Sequence, residues 1–293
     1  TLTGLISGDT VSINTATAAA NFADRNVGTA KVVALSNASL TGANAANYSI
    51  TLAGAPTATA NITPKELTIA GSFTADNKVY DGNTTAIIAT GSLTLTGLIS
   101  GDTVSINTSS TMATFGDRNV GTAKTVTLSA TALTGANAPN YTITLAGAPT
   151  ATANITPKEL TIAGSFTADN KVYDGNTTAT IASNSLTLTG LISGDTVSIN
   201  TATAAANFAD RNVGTAKVVA LSNATLTGAN ASNYSITLTG APTATANITA
   251  KELTLAGSFT ADNKVYDGNT SATIASNSLT LSGLIAGDTV SIN

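Results

Sequence analysis

The sequence predicts an all-β protein built from tandem β-sandwich modules of 93 residues, arranged as an elongated rod. Three observations predict it. The chain repeats itself at one fixed period, the mark of an array. Within each period, short segments alternate apolar and polar residues with period two, the pattern of half-buried strands. Turn signals punctuate them every 8–12 residues and no helical period of any length intervenes, which is the signature of a sandwich.

The period is read from three motifs. KVYDGN places its tyrosine at Tyr80, Tyr173 and Tyr266, in steps of 93 residues. GLISGDTVSIN opens at Gly4, Gly97 and Gly190, with the near copy GLIAGDTVSIN at Gly283. DRNVGTAK opens at Asp24, Asp117 and Asp210. No insertion or deletion breaks the register. Segments 1–63 and 187–249 differ at three positions (Ser39/Thr225, Ala46/Ser232 and Ala53/Thr239), so recent duplication accounts for the identity as well as function does. The expected organisation is a partial module over 1–63, complete modules over 64–156 and 157–249, and a partial module over 250–293. A chain that starts and stops inside a module is expected to be an excerpt of a longer protein.

The copy at 64–156 shows the elements in order. KELTIAG (65–71) sets Leu67 and Ile69 on one face and Thr68 on the other, as a strand does. NKVYDGNTT (77–85) reads as a strand entering a tight turn, with Asp81-Gly82 supplying the positive φ of a two-residue hairpin. SLTLTG (92–97) and TVSIN (103–107) alternate around a Gly101-Asp102 turn, and TMATF (111–115) is a weaker strand. GDRNVG is a polar turn, TAKTVTLSA (122–130) alternates Val126 and Leu128, and GANAPN (135–140) is a loop. NYTITLAG (140–147) and ATANIT (151–156) close the module, for about eight strands. Each module holds only two Phe and two Tyr, so the core is expected to be aliphatic. The junction NITPKELTI lacks glycine and serine, and Pro64 holds Thr63 extended, so the linker is expected to be stiff. Each module of the expected rod advances roughly 35–45 Å.

Composition narrows the chemistry. Cysteine, histidine and tryptophan are absent, which removes disulfides, thiolate nucleophiles, imidazole bases, zinc sites and Ser-His-Asp triads. The sequence therefore predicts no enzyme, no catalytic residue, no metal site and no cofactor. Charged residues make up 10% with a net charge of −4, against about 25% charged in an ordinary domain. That balance argues against nucleic-acid partners and against a polybasic membrane patch. No apolar run approaches the ~20 residues of a membrane helix, so direct membrane insertion is not expected.

Several residue groups invite a functional reading beside a plainer one. Asp76, Asp81 and Asn83 cluster around the KVYDGN turn, but calcium needs six or more oxygens and the spacing of a calcium loop is missing, so turn chemistry is the expected role. Arg118, the single arginine of its module, is expected to fork to a carboxylate such as Asp102 and clamp two loops. Tyr80 and Tyr141 are candidates for stacking on sugar, and the favoured expectation is that they pack near the core with the hydroxyl on a backbone group. Lys65, Lys78 and Glu66 raise a lysine–asparagine isopeptide link, which adjacency of Lys65 and Glu66 on a strand disfavours. The threonine alternation lacks the strand-by-strand repeat of an ice-binding ladder.

KVYDGNTT, SGDTVSI, FADRNVGTAK, LTGANASNYSITL and ANITPKELTI, in that order, resemble the YDG/MBG-type tandem repeat of large bacterial surface adhesins, proteins like filamentous haemagglutinin. The resemblance covers the whole chain. It implies Ig-like sandwiches in an extracellular or cell-surface protein, with no catalytic site and no established ligand. The expected function is a stalk or spacer that projects or links adhesive regions in cell attachment or biofilm. The alternatives are a self-assembling extracellular filament, through module–module or strand-exchange contacts, and a multivalent carbohydrate-binding array. Expected partners are neighbouring modules of the same chain and other copies of the protein; host or matrix glycans are a partner class that no residue supports.

Overall fold

The computed structural model describes residues 1–293. The chain forms two compact units, one of Thr1–Lys78 with Asn83–Asn154 and one of Val79–Gly82 with Ile155–Asn293. Both are built of strands, and the helical content is three single 3₁₀ turns, such as Ala231–Asn233.

Residues 157–249, inside the second unit, show one complete repeat. A five-stranded sheet has the order Lys171–Val172, Thr243–Thr249, Gly214–Asn223, Ala205–Phe208, Thr178–Ala179. A three-stranded sheet has the order Thr187–Thr189, Lys158–Ala163, Tyr234–Thr237. Two-stranded ribbons join Phe166–Ala168 to Ile181–Asn184 and Ser198–Ile199 to Leu226–Thr227. The core is filled from both sheets. Leu160 and Ile162 come from the small sheet, and Ala206, Phe208, Val219, Leu221, Ala246 and Ile248 from the large one, with Phe166 between them. Alternation explains the choice: Val219 and Leu221 point inward while Val218 and Ala220 point out. The expectation of an aliphatic core is corrected here: scarce as they are, Phe166, Phe208 and Tyr234 are all buried, because large rings fill space that alanine-rich strands leave open.

Two pairings are parallel. Lys158–Ala163 runs parallel to Tyr234–Thr237, and Lys171–Val172 parallel to Thr243–Thr249. Each joins the first third of the repeat to its last quarter. A parallel pair needs a long crossover, so neither is visible as a local hairpin signal. In the first unit the same parallel pair joins Lys65–Ala70 to Tyr141–Thr144, and Thr94–Thr96 completes that sheet on the other side. Residues 1–63 form a three-stranded antiparallel sheet of Ser12–Phe22, Gly28–Thr41 and Ala58–Ile62. In residues 250–293 the ribbons recur, yet Phe259 and Tyr266 are exposed. Their counterparts Phe166 and Tyr173 pack against strands that occupy the later two-thirds of a repeat.

The KVYDGN turn corrects one expectation. Gly175 has φ +80, as a tight turn at Asp-Gly requires, but the segment is not a hairpin. The flanking strands Lys171–Val172 and Thr178–Ala179 lie at opposite ends of the five-stranded sheet. The sheet curls, and Lys171 spans the gap between its ends. Its Nζ donates to Asn176 O and Oδ1 at 2.9 Å each and to Thr178 O at 3.1 Å, and pairs with Asp174 Oδ1 at 2.6 Å. The ammonium also sits 5.7 Å from the centroid of the Phe208 ring, a cation–π distance.

Candidate functional site: the joint between repeats

The residues singled out by sequence converge where one repeat meets the next. Two loops of the earlier repeat supply the charged and phenolic donors, and one loop of the later repeat supplies the carboxylate that accepts them.

The first donor loop is DRN. Asp210 Oδ1 accepts the Asn212 amide at 2.8 Å and pairs with Lys217 Nζ at 2.6 Å. That lysine is largely buried, and its hydrogen bond holds the Asp210 carboxyl below the usual carboxylate range, with help from the Asn212 amide. The backbone there is bulged: Ala216 takes φ 49 and its amide donates to Asn247 Oδ1 at 2.8 Å. The pinned loop projects Arg211. The second donor loop is KVYDGN, braced by the Lys171 contacts and by Asx bonds from Asp174 Oδ1 to the Asn176 amide and from Asn176 Oδ1 to the Thr178 amide. It projects Tyr173 and the bare Cα of Gly175.

The acceptor loop is GLISGD. Its turn closes with the Asp195 amide on Ile192 O at 3.1 Å. It is strapped to the following GAN loop by Thr196 N donating to Asn230 Oδ1 at 3.0 Å. The 3₁₀ turn Ala231–Asn233 then aims Tyr234 back beneath it, so that the Tyr234 hydroxyl accepts from Ile192 N at 3.1 Å and donates to Asp195 Oδ2 at 2.6 Å. The same arrangement holds Asp102 with Tyr141 at 2.6 Å and Asp9 with Tyr48 at 2.6 Å.

Donors and acceptor meet three times. Between residues 1–63 and 64–156, Arg25 Nη2 donates to Asp102 Oδ1 at 2.6 Å, with the Asp102 side chain 6% exposed. Beside it, Val27 N donates to Asn140 Oδ1 at 2.8 Å and Asn140 Nδ2 donates to Asn26 Oδ1 at 3.2 Å. A cavity of about 150 Å³ remains there, its wall including Arg25, Ile99, Asp102 and Tyr141. In the second unit, Tyr80 donates to Asp195 Oδ2 at 2.8 Å, across a separation of 115 residues. The Tyr80 and Tyr234 rings meet edge to face, centroids 5.4 Å apart and planes at 77°. Between residues 157–249 and 250–293, Tyr173 donates to Asp288 Oδ1 at 3.0 Å and Arg211 pairs with the same oxygen at 3.6 Å.

Gly82 and Gly175 complete the fit. A Cβ on Gly82 would stand 2.9 Å from Ile192 Cγ2, and one on Gly175 would stand 2.6 Å from Ile285 Cγ2. The glycine therefore serves the joint as well as the turn. Ile99, which has no KVYDGN loop above it among residues 1–63, is 47% exposed, whereas Ile192 and Ile285 are partly covered.

The electrostatics follow from this geometry. Burial, and then the bond to Asp195, push the Tyr234 hydroxyl up to about 12. Tyr141 is raised by the same two causes in the same order, and Tyr173 first by its bond to Asp288 and then by burial. Each phenol is thus a neutral donor to a carboxylate.

Several expectations change. Tyr80 and Tyr141 are buried, but their hydroxyls reach carboxylates rather than only backbone groups. The arginine does reach Asp102, but it is Arg25, the counterpart of Arg118 one repeat earlier. Asn83 Oδ1 accepts the Thr85 amide at 2.9 Å, the turn chemistry expected of it. Lys65 and Glu66 are both exposed, while Lys78 spends its ammonium on Asn83 and Thr85 oxygens. Sequence reasoning missed Asn140 and Ile99 as joint residues, since neither stands in a motif with an obvious chemical use.

Fold and site together define a class: a tandem array of all-β sandwich repeats, coupled through a carboxylate that the later repeat presents to the earlier one. The YDG domain matches residues 1–59, 63–152, 156–245 and 249–293, and the chain belongs to that family. No curated protein and no solved structure matches the chain.

Proposed function

We propose that the chain is a spacer segment of a secreted bacterial surface adhesin, a stalk that holds an adhesive region away from the cell or links such regions. One observation carries the reading: donors from the DRN or KVYDGN loop of one repeat meet the aspartate of the GLISGD-type loop of the next at successive repeat boundaries. Here the most elaborate side-chain chemistry is spent on joining repeats. The extracellular setting and the adhesin context are supported by the resemblance of the repeat to those of bacterial surface proteins.

The test is a length series. Polypeptides with two, four and six added repeats are compared by small-angle scattering at several concentrations. A stalk lengthens by roughly 35–45 Å per repeat and stays monomeric. A maximum dimension that grows as the cube root of mass refutes the reading. Association that rises with concentration favours the filament alternative.

A further inference from the structure

We infer that Tyr80 and Tyr234 form a site for oxidative crosslinking, at which a dityrosine bond ties one repeat covalently to the next. The two residues belong to successive repeats, 64–156 and 157–249, and both donate to the same oxygen, Asp195 Oδ2, at 2.8 and 2.6 Å. Their rings are already in edge-to-face contact, with centroids 5.4 Å apart.

Three features suit the pair to this reaction. The first is proximity, since coupling joins the ring carbons next to the hydroxyls and the shared acceptor brings those edges together. The second is the base. A phenol loses its proton as it loses an electron, and a carboxylate hydrogen-bonded to it takes that proton at once. The Tyr234 phenol is neutral beforehand, its hydroxyl held up at about 12, so its proton and electron leave together. The third is dryness. Tyr80 is 1% exposed and Tyr234 6%, so a phenoxyl radical formed there is shielded from scavengers until its neighbour is oxidised.

The balance is simple. Each tyrosine gives one electron to a one-electron oxidant, of the kind a peroxidase generates from hydrogen peroxide, and one proton to Asp195, which relays it to water. The two radicals couple carbon to carbon, and the ring hydrogens at the new bond move to the phenolic oxygens. The net loss is two electrons and two protons. Burial keeps a bulky oxidant off the rings, so the electrons leave by transfer across the intervening protein.

The experiment uses the full chain at high dilution, photo-oxidised with a ruthenium tris-bipyridyl complex and persulfate. The readouts are blue dityrosine fluorescence of the monomer band, intact mass and peptide mapping. The expected result is a monomer lighter by two hydrogen atoms, with the Tyr80 peptide joined to the Tyr234 peptide and a yield independent of protein concentration. Tyr80→Phe and Tyr234→Phe each keep a ring in place and abolish this link, with circular dichroism confirming that the variants are folded. Tyr266, 94% exposed, serves as the internal comparison. If the crosslinks run only between molecules through Tyr266, or if Tyr80 and Tyr234 are recovered unlinked while Tyr266 is consumed, the inference is overturned.

Discussion

Replacing Asp195 with alanine removes the acceptor that two buried tyrosines share. Tyr80 and Tyr234 each lose a hydrogen bond to a charged group, worth about 1.5–3 kcal/mol apiece. Tyr234 keeps the bond it accepts from Ile192 N, which offsets part of the loss. The net expectation is about 3–5 kcal/mol of local stability at the joint. A multi-repeat chain does not unfold in one step, so the right assay is local. Amide hydrogen exchange suits it, because Ile192 N and Asp195 N are themselves bonded within the acceptor loop. At 1.4 kcal/mol per decade, their exchange should speed up by about 10²–10⁴-fold. Amides in the centre of Gly214–Asn223, within the repeat core, should barely change. Tyr80→Phe removes one bond of the two and should give about 10–100-fold. If exchange at Ile192 and Asp195 is unchanged in Asp195→Ala, or if Tyr80→Phe has the larger effect, the carboxylate is not the keystone argued for above.

Three further outcomes are expected. Gly175→Ala should loosen the Gly283–Asp288 loop, because it adds a Cβ 2.6 Å from Ile285 Cγ2 at φ +80, whereas Gly194→Ala, at φ +90 with open space around it, should carry the backbone penalty of about 1–2 kcal/mol alone; exchange at Asp288 N separates the two. Ala216→Gly should raise the thermal midpoint by relieving a left-handed alanine worth up to about 1 kcal/mol, while Ala220→Gly in the same strand should lower it by about 0.5–1 kcal/mol. The raised Tyr234 contributes stability that is complete below pH 10 and is lost as pH climbs from 10 towards about 12, so melting followed by circular dichroism should fall across that window, and less steeply in Tyr234→Phe.

Much of the repeat was legible in the sequence, for reasons that can be traced to particular residues. Val126 and Leu128 alternate with polar neighbours, so their strand and its buried face follow from period two. Asp81-Gly82 announces a positive φ, and Gly82 has one. The same dipeptide carries no information about which strands pair, so the hairpin it suggests is absent and its flanking strands lie at opposite sheet ends. The parallel partnership of Lys65–Ala70 with Tyr141–Thr144 spans more than seventy residues and leaves no local trace. The joint was hidden by the periodicity itself. When copies are nearly identical, a motif pair such as arginine and aspartate is defined only to within a whole number of repeats. Arg118 with Asp102 and Arg25 with Asp102 are equivalent statements in the sequence, and only the fold distinguishes them.

The joint also has a consequence for how such a chain changes length. Its contacts connect residues 77, 113, 114 and 115 positions apart, each running from one repeat to the next. Loss or gain of 93 residues, cut at any phase, leaves a periodic chain in which every donor again finds an acceptor at the same offset. Recombination between misaligned copies of the gene therefore yields a longer or shorter product whose boundaries are all of the existing kind. Reach becomes a quantity that can drift by whole steps without any new interface having to be evolved.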